Sequence, residues 1–300
     1  MNNNKKILIL GGSSYVGKHL FNSLGKDKAV GTYCNKPFKG GVYFDSLSMD
    51  LSQILKDLGP FSHAVILLGD TNPETCAEDI EKSNTLNVES IKSIIECLNN
   101  HQIKPVFTST LFVFDGKKGN YVEEDPVSPI LIYGKQKVEI ERYIQDKCKA
   151  FIIARLSKVF GSQKNDGTLF IDWIESINKN QTIRCAQDQI FSPAYIKDVV
   201  DSIIRLIDND CNGIFHISSK KPYSRLELLE MLLSHIKKYS SVKGNVVKCS
   251  IHDFPLREKR PLNVSMKPDK LINAIGIKLH DVNDVCESIA KEYFGIGRDE

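Results

Sequence analysis

Six short runs of β-branched and aromatic residues, separated mostly by helix-length amphipathic stretches, constrain the first half of this chain more than any other feature. The runs are Ile7–Leu10, Ala29–Tyr33, Val42–Phe44, Ala64–Leu68, Val106–Thr108 and Phe151–Arg155, and helical periodicity fills Val16–Leu24, Asn84–Leu98 and Lys135–Asp146. Strands that alternate with helices pair in parallel, because each helix carries the chain back to where the next strand must start. A sheet covered on both faces also needs strands that are apolar throughout, and Ile-Leu-Ile-Leu and Ala-Val-Ile-Leu-Leu are of that kind. The expected fold class is α/β, a doubly wound parallel sheet.

Beyond about Phe160 the alternation loosens and Pro, Gly and polar clusters become frequent. This predicts a first domain over 1–160 and a smaller, interleaved C-terminal lobe over 161–300, with Ile196–Ile207 and a Gly213–Ser218 strand returning to the main sheet. Ser224-Arg-Leu-Glu227 has the form of a capping box and starts a helix running to about Lys238.

With 300 residues and 41% hydrophobic content the chain buries a sizeable core. Its 40 basic and 37 acidic residues are spread along the sequence without a polybasic block, so nucleic acid is not the expected partner. No apolar run approaches the roughly 18 residues of a membrane span, and the four apolar residues before Gly11 are too few for a signal peptide. The eight cysteines stand singly, without a Cys-x-x-Cys pair, and the histidines lack helical metal-pair spacing. No metal and a reduced, cytoplasmic setting are therefore expected.

Ile7-Leu-Ile-Leu-Gly11-Gly12-Ser13-Ser14-Tyr15-Val16-Gly17 places a strand, a glycine turn and a helix start together, as a dinucleotide pyrophosphate site of the Rossmann type requires. Gly11 permits the tight turn, the N–H groups of Ser13 to Val16 meet phosphate oxygens, and Gly17 lets the helix pack closely on the strand. Ser14 takes the place of the usual middle glycine, and its hydroxyl is available to donate to phosphate. After the second strand, Gly31-Thr-Tyr-Cys-Asn-Lys36 lacks the acidic residue that binds the ribose hydroxyls of NAD, which favours NADP with NAD as the alternative. Lys36 or Lys39 would pair with a 2′-phosphate or stand as solvated surface lysines. Asp45 would contact adenine or cap a turn.

The strand Lys104-Pro-Val-Phe-Thr108-Ser109-Thr110 ends in hydroxyl residues at the edge where doubly wound sheets hold ligands. Downstream lies Tyr133-Gly-Lys-Gln-Lys137. A tyrosine and a lysine four apart on a helix face the same way, so the ammonium is expected to lower the tyrosine pKa and ready it as a proton donor to a carbonyl. The spacing recurs at Tyr143/Lys147 and Tyr239/Lys243. Only Tyr133 follows a hydroxyl-bearing strand, with a Ser-Pro turn just ahead.

Taken together these residues resemble the extended short-chain dehydrogenase/reductases, most closely the dTDP-4-dehydrorhamnose reductase group of sugar-nucleotide-binding proteins. The likeness runs from Lys5 to about Leu271. Its landmarks include Thr71 through Cys76, Leu86-Asn87-Val88, Ser109-Thr110-x-x-Val113-Phe114-Asp115-Gly116, Tyr133-Gly-Lys-x-Lys137, Arg155-Leu-Ser-x-Val-Phe-Gly161, Asp188-Gln189, Ser192-Pro193 and Arg260-Pro261.

The resemblance implies Thr110, Tyr133 and Lys137 as a catalytic trio, Thr110 holding the substrate oxygen and Lys137 also gripping the nicotinamide ribose. It implies Asn87 as part of a proton relay or as a helix-packing amide, Thr71 against cofactor and substrate, and Pro73 against substrate. It brings Arg257 or Arg260 to a substrate diphosphate, where a bidentate guanidinium suits phosphate, or leaves them as surface residues. Departures fall where the sugar should lie. The family's acidic residue and tyrosine after the threonine are Leu111 and Phe112 here, and its tryptophan in the Arg155 segment is Lys158.

The implied activity is reduction of a 4-keto group on a nucleotide-linked deoxysugar, with NADP(H) preferred and NAD(H) admissible. The partner is the nucleotide sugar, and a homodimer is an admissible assembly. The alternatives are a nucleotide-sugar epimerase with bound NAD, and a non-catalytic NADP-binding regulatory subunit like that of methionine adenosyltransferase. Dehydration is disfavoured, because relatives that dehydrate carry an Asp-Glu pair where Leu111-Phe112 stand.

Overall fold

A computed structural model describes residues 5–164, 166–242 and 244–295. The Asn-rich start and Lys243, the partner of Tyr239 in the third Tyr-x-x-x-Lys spacing, lie outside these. The strands are β1 (Lys6–Leu10), β2 (Ala29–Tyr33), β3 (Val42–Tyr43), β4 (Phe61–Ile66), β5 (Lys104–Thr110), β6 (Ile152–Leu156), β7 (Val159–Phe160), β8 (Thr182–Ala186), β9 (Ile190–Phe191), β10 (Ala194–Tyr195), β11 (Gly213–Ile217), β12 (Tyr223–Ser224) and β13 (Asn245–Cys249). The helices are α1 (Tyr15–Leu24), α2 (Leu51–Leu58), α3 (Pro73–Glu78), α4 (Ile80–Asn84), α5 (Ser90–Asn100), α6 (Ile132–Lys147), α7 (Leu169–Asn178), α8 (Ile196–Asp208), α9 (Arg225–Ile236), α10 (Asp269–Ile275) and α11 (Val282–Phe294).

Seven strands form one parallel sheet in the order β3-β2-β1-β4-β5-β6-β11. The chain winds outward from β1 in one direction as far as β3, then crosses back to β4 on the other side of β1. The switch point between β1 and β4 opens a crevice at the carboxyl ends of these strands, the place where such sheets bind ligands. Leu8, Leu10, Ile66 and Phe107 from the strands pack with Ile91, Ile95, Ile140 and Ile144 from α5 and α6 in one buried cluster. Burial of each such side chain contributes about 1.5–3 kcal/mol, which holds the strand ends in register beneath the crevice.

The chain divides into two compact units. The first holds Met1–Phe114, Pro126–Arg155 and Val200–Phe215. The second holds Asp115–Asp125, Leu156–Val199 and His216–Glu300, so the boundary expected at 160 is crossed several times. Within the second, β7 pairs with β10, β9 with β12 and β8 with β13.

Several sequence expectations shift. The single helix expected over Asn84–Leu98 is α4, a π-helical turn over Thr85–Glu89, and α5. The strand expected at Ala64–Leu68 starts at Phe61 and stops at Ile66, while the Lys104–Thr110 strand forms over its full length. The helix expected from Lys135 begins at Ile132 and so contains Tyr133. α2, capped by Asp50 accepting from the Ser52 N–H, was not anticipated. The Ser224–Glu227 capping box is present, and its helix ends at Ile236.

Candidate active site

The turn between β1 and α1 is shaped by glycines with no room for anything larger. Gly11 has φ +88°, and a Cβ on it would lie 3.1 Å from the Leu67 carbonyl carbon. One on Gly17 would lie 2.3 Å from the Gly11 carbonyl oxygen, inside any tolerable contact. The Gly11 N–H donates to Thr32 Oγ1 at 3.1 Å, tying the turn to β2. Ser14 caps α1, its Oγ accepting from the Gly17 N–H at 3.1 Å. That leaves the hydroxyl proton free to donate. Ser13, Ser14, Tyr15 and Val16 are half-buried at the start of α1, whose dipole favours an anion. This cradle fits a dinucleotide pyrophosphate.

The adenosine-side residues are less committed. Lys36 is exposed just beyond β2. The Asp45 carboxylate accepts from the Leu47 N–H at 3.0 Å and from Ser48 Oγ at 2.7 Å, and these bonds hold its pKa below the usual range. Asp45 therefore takes the turn-capping role.

At the carboxyl end of β5, Thr108 Oγ1 donates to the Ile66 carbonyl at 2.8 Å, while the Ser109 hydroxyl is buried with no partner among the described residues. Tyr133 sits in the first turn of α6, with Lys137 one turn on. Gly134 allows this approach, because a Cβ there would lie 2.2 Å from the Phe112 carbonyl oxygen. The Thr110 hydroxyl bonds to that of Tyr133, and the Phe112 ring meets the Tyr133 ring edge-on at 6.5 Å between centroids. Lys137 Nζ donates to the Thr108 carbonyl at 2.9 Å and lies 4.5 Å from the Phe107 ring centre. Thr110, Tyr133 and Lys137 are thus brought together, each nearly buried.

The electrostatics correct one expectation. Burial raises the Tyr133 pKa well above the usual range, the Cys76 and Asp70 charges push the same way, and only the Thr110 bond opposes them. Lys137 Nζ lies 5.8 Å from the Tyr133 ring centre, but its charge does not outweigh that burial. The lysine pays for its own burial instead: its pKa falls from 10.5 to about 8, with Glu141 and then Cys76 opposing the fall. Glu141, one helical turn beyond, is itself held by Arg155, whose Nη2 donates at 2.7 Å with both side chains buried.

Asn87 stands within the π-helical turn, a distortion often found at functional sites. Its Oδ1 accepts from the Asp70 N–H at 2.7 Å, and its Nδ2 donates to the Asp70 carbonyl at 2.9 Å and to Gln136 Oε1 at 2.8 Å. Gln136 Nε2 donates in turn to Ser83 Oγ at 2.9 Å. The amide locks the loop after β4 onto α6 beside Lys137. Thr71 is exposed in that loop and Pro73 is half-buried as the first residue of α3. Sequence reasoning passed over Gln136, Asp70 and Glu141, although Glu141 stands four residues beyond Lys137.

Lys158, Arg257 and Arg260 belong to the second unit. Lys158 is exposed just ahead of β7, Arg257 is exposed, and Arg260 is buried with Nη1 donating to the Glu258 carbonyl at 3.4 Å. The other Tyr-x-x-x-Lys spacings serve elsewhere; Tyr143, for example, donates its hydroxyl to Glu96. Among the described residues no group of three or more His, Cys, Asp or Glu is placed to hold a metal ion, and no helix is long and apolar enough to cross a membrane.

The sheet order, the glycine cradle and the Thr110–Tyr133–Lys137 cluster define a nucleotide-binding α/β protein of the short-chain dehydrogenase type. The chain belongs to the family described as RmlD substrate binding domain, whose pattern matches residues 5–294. It is 26% identical to a dTDP-4-dehydrorhamnose reductase of Aggregatibacter actinomycetemcomitans over 73% of this chain and 77% of that one. It is 22% identical to methionine adenosyltransferase 2 subunit beta of Danio rerio over 75% and 72%. The crystal structure of the Bacillus anthracis dTDP-4-dehydrorhamnose reductase in complex with NADP superposes with a TM-score of 0.82 at 21% identity, covering 96% of this chain and 99% of that one.

Proposed function

We propose that this protein is an NAD(P)H-dependent reductase of a 4-keto group on a nucleotide-linked deoxysugar, with NADP(H) preferred. The observation that carries the reading is the juxtaposition of Thr110, Tyr133 and Lys137 at the carboxyl end of β5, in the same unit as the glycine cradle. A bound nicotinamide cofactor supplies the hydride. Gly11, Ser13, Ser14, Tyr15, Val16 and Gly17 would hold its pyrophosphate, Lys36 would pair with a 2′-phosphate, and Lys137 would grip the nicotinamide ribose.

Tyr133 stays protonated across the working range because its pKa is raised. It gives that proton to the carbonyl oxygen as the alkoxide forms, and the Thr110 hydroxyl and the Lys137 ammonium steady the tyrosinate left behind. With a pKa of about 8, Lys137 is poised to return a proton afterwards. Asn87 acts through position, fixing the Asp70 loop and Gln136. Thr71, Pro73 and Phe112 are assigned to the substrate side, and Arg257 or Arg260 to the diphosphate.

The test is NADPH and NADH oxidation with a panel of dTDP-, UDP- and GDP-linked 4-keto-6-deoxysugars, comparing wild type with Tyr133→Phe. Turnover that falls by ~10²-fold or more in the variant, with cofactor binding intact, is expected. Unchanged turnover in Tyr133→Phe overturns the mechanism. Tight NADPH binding without turnover, together with copurification of another enzyme, would favour the regulatory-subunit reading. The likeness to the methionine adenosyltransferase subunit keeps that reading second.

A further inference from the structure

Two cations of the second unit, Lys158 and Arg225, have no salt-bridge partner among the described residues. Lys158 immediately precedes β7, and Arg225 is the first residue of α9. One short stretch organises both backbones: the Arg225 N–H donates to the Gln189 carbonyl at 3.1 Å, and the Ala194 N–H donates to the Lys158 carbonyl at 3.0 Å. Between these two anchors lies Ser192. Its hydroxyl, that of Ser157 and the Nε of Arg225 are all buried without a hydrogen-bond partner among the described residues. No described residue ion-pairs with Lys158 or Arg225.

This arrangement is unfavourable by itself. Buried donors left unpaired are destabilising, and a cation at the first position of a helix opposes the helix dipole. Lys158 is exposed, yet surrounding protein keeps its pKa below the usual lysine range, with the Arg225 charge adding to the effect. Asp172 is the acid that acts on both, and it accepts no salt bridge from either. An oxyanion would satisfy the ammonium, the guanidinium and the serine hydroxyls together, and a planar guanidinium fork matches a carboxylate.

We propose that Lys158 and Arg225, with Ser157 and Ser192, form a recognition site for a carboxylate carried by the sugar of the substrate, so that the preferred nucleotide sugar is an acidic one. The inference rests on the sugar-nucleotide reading above and alters one part of it, placing a carboxylate on the sugar where that reading has a 6-deoxy carbon. Lys158 stands where the resembling family has a tryptophan among its sugar contacts, and the diphosphate is assigned to other residues, Arg257 or Arg260. The site is therefore additional to the one for phosphate.

The experiment is calorimetric titration of the NADPH-loaded protein with UDP- and dTDP-glucose and with UDP- and dTDP-glucuronate, which differ only in the sugar carboxylate. The same titrations are run on Lys158→Met and Arg225→Met. The glucuronates are expected to bind ~10-fold to ~100-fold more tightly than the glucose compounds. Each substitution should erase most of that ratio by weakening the glucuronates far more than the glucose compounds. Equal affinity for both sugars, or a ratio that survives both substitutions, overturns the acidic-sugar proposal alone. Equal weakening of both sugars by the substitutions also overturns it, by assigning the pair to the diphosphate. Failure of all four compounds to bind, with NADPH binding intact, overturns the acidic-sugar proposal, while turnover of the 4-keto-6-deoxysugar panel decides the sugar-nucleotide reading separately.

Discussion

Replacement of Lys137 by methionine should make the protein inactive and more stable at the same time. The ammonium is nearly buried, and its pKa has fallen from 10.5 to about 8. At 1.36 kcal/mol per unit, this places the cost of keeping the charged form in the folded state at about 3 kcal/mol. Methionine removes the charge at similar length but forfeits the hydrogen bond to the Thr108 carbonyl, worth about 1 kcal/mol. A net gain of about 2 kcal/mol is expected at pH 7, read from urea unfolding midpoints. The pH dependence fixes the cause. A lysine whose folded pKa lies below its unfolded pKa carries its full cost below about pH 8, and the cost fades as pH rises through the window up to 10.5. By pH 9.5 the advantage of Lys137→Met should have shrunk by about 2 kcal/mol. A variant less stable than wild type at pH 7, or a stability difference that does not change between pH 7 and 9.5, would refute the reasoning.

Glu141→Gln leaves the Arg155 guanidinium buried beside a neutral partner, with an expected loss of about 3–5 kcal/mol in unfolding free energy. It also removes the charge that raises the Lys137 pKa, so the alkaline limb of the pH–rate profile should move to lower pH. Gly134→Ala puts a Cβ 2.2 Å from the Phe112 carbonyl oxygen. The start of α6 must shift, and thermal melting should report a loss of about 1–3 kcal/mol with turnover falling alongside it. Gly17→Ala places a Cβ 2.3 Å from the Gly11 oxygen, and fluorescence titration should show NADPH affinity lowered by ~10-fold or more. Asn87→Ala frees the Asp70 loop; kcat should fall more than KM rises, and wild-type turnover in this variant would limit Asn87 to packing.

The first unit was legible in the sequence because its strands are buried on both faces. A run such as Ile7–Leu10, followed by glycines and a helix start, admits few arrangements, and the Tyr133–Lys137 spacing places both side chains on one helix face wherever that helix begins. Spacing does not say where a flexible ammonium points. The Thr108 carbonyl and the Phe107 ring belong to β5, against which α6 packs, more than twenty residues back along the chain. Burial of Tyr133 itself outweighs the pull that i, i+4 reasoning gives to Lys137.

The π-helical turn at Thr85–Glu89 was hidden for a related reason. Apolar periodicity continues through it, and one wider turn is enough to aim Asn87 at Asp70 and Gln136. In the second unit the informative contacts run between two-residue strands. The stretch Gln189–Ala194 joins Lys158 to Arg225 across more than sixty positions of sequence, and neither residue alone carries a periodic signal. The residues proposed to transfer the proton, Tyr133 and Lys137, are set by local spacing and can be read from it. The pair proposed to select the substrate, Lys158 and Arg225, is brought together by long-range pairing of short strands, so its reading rests on unpaired charge and buried unsatisfied donors.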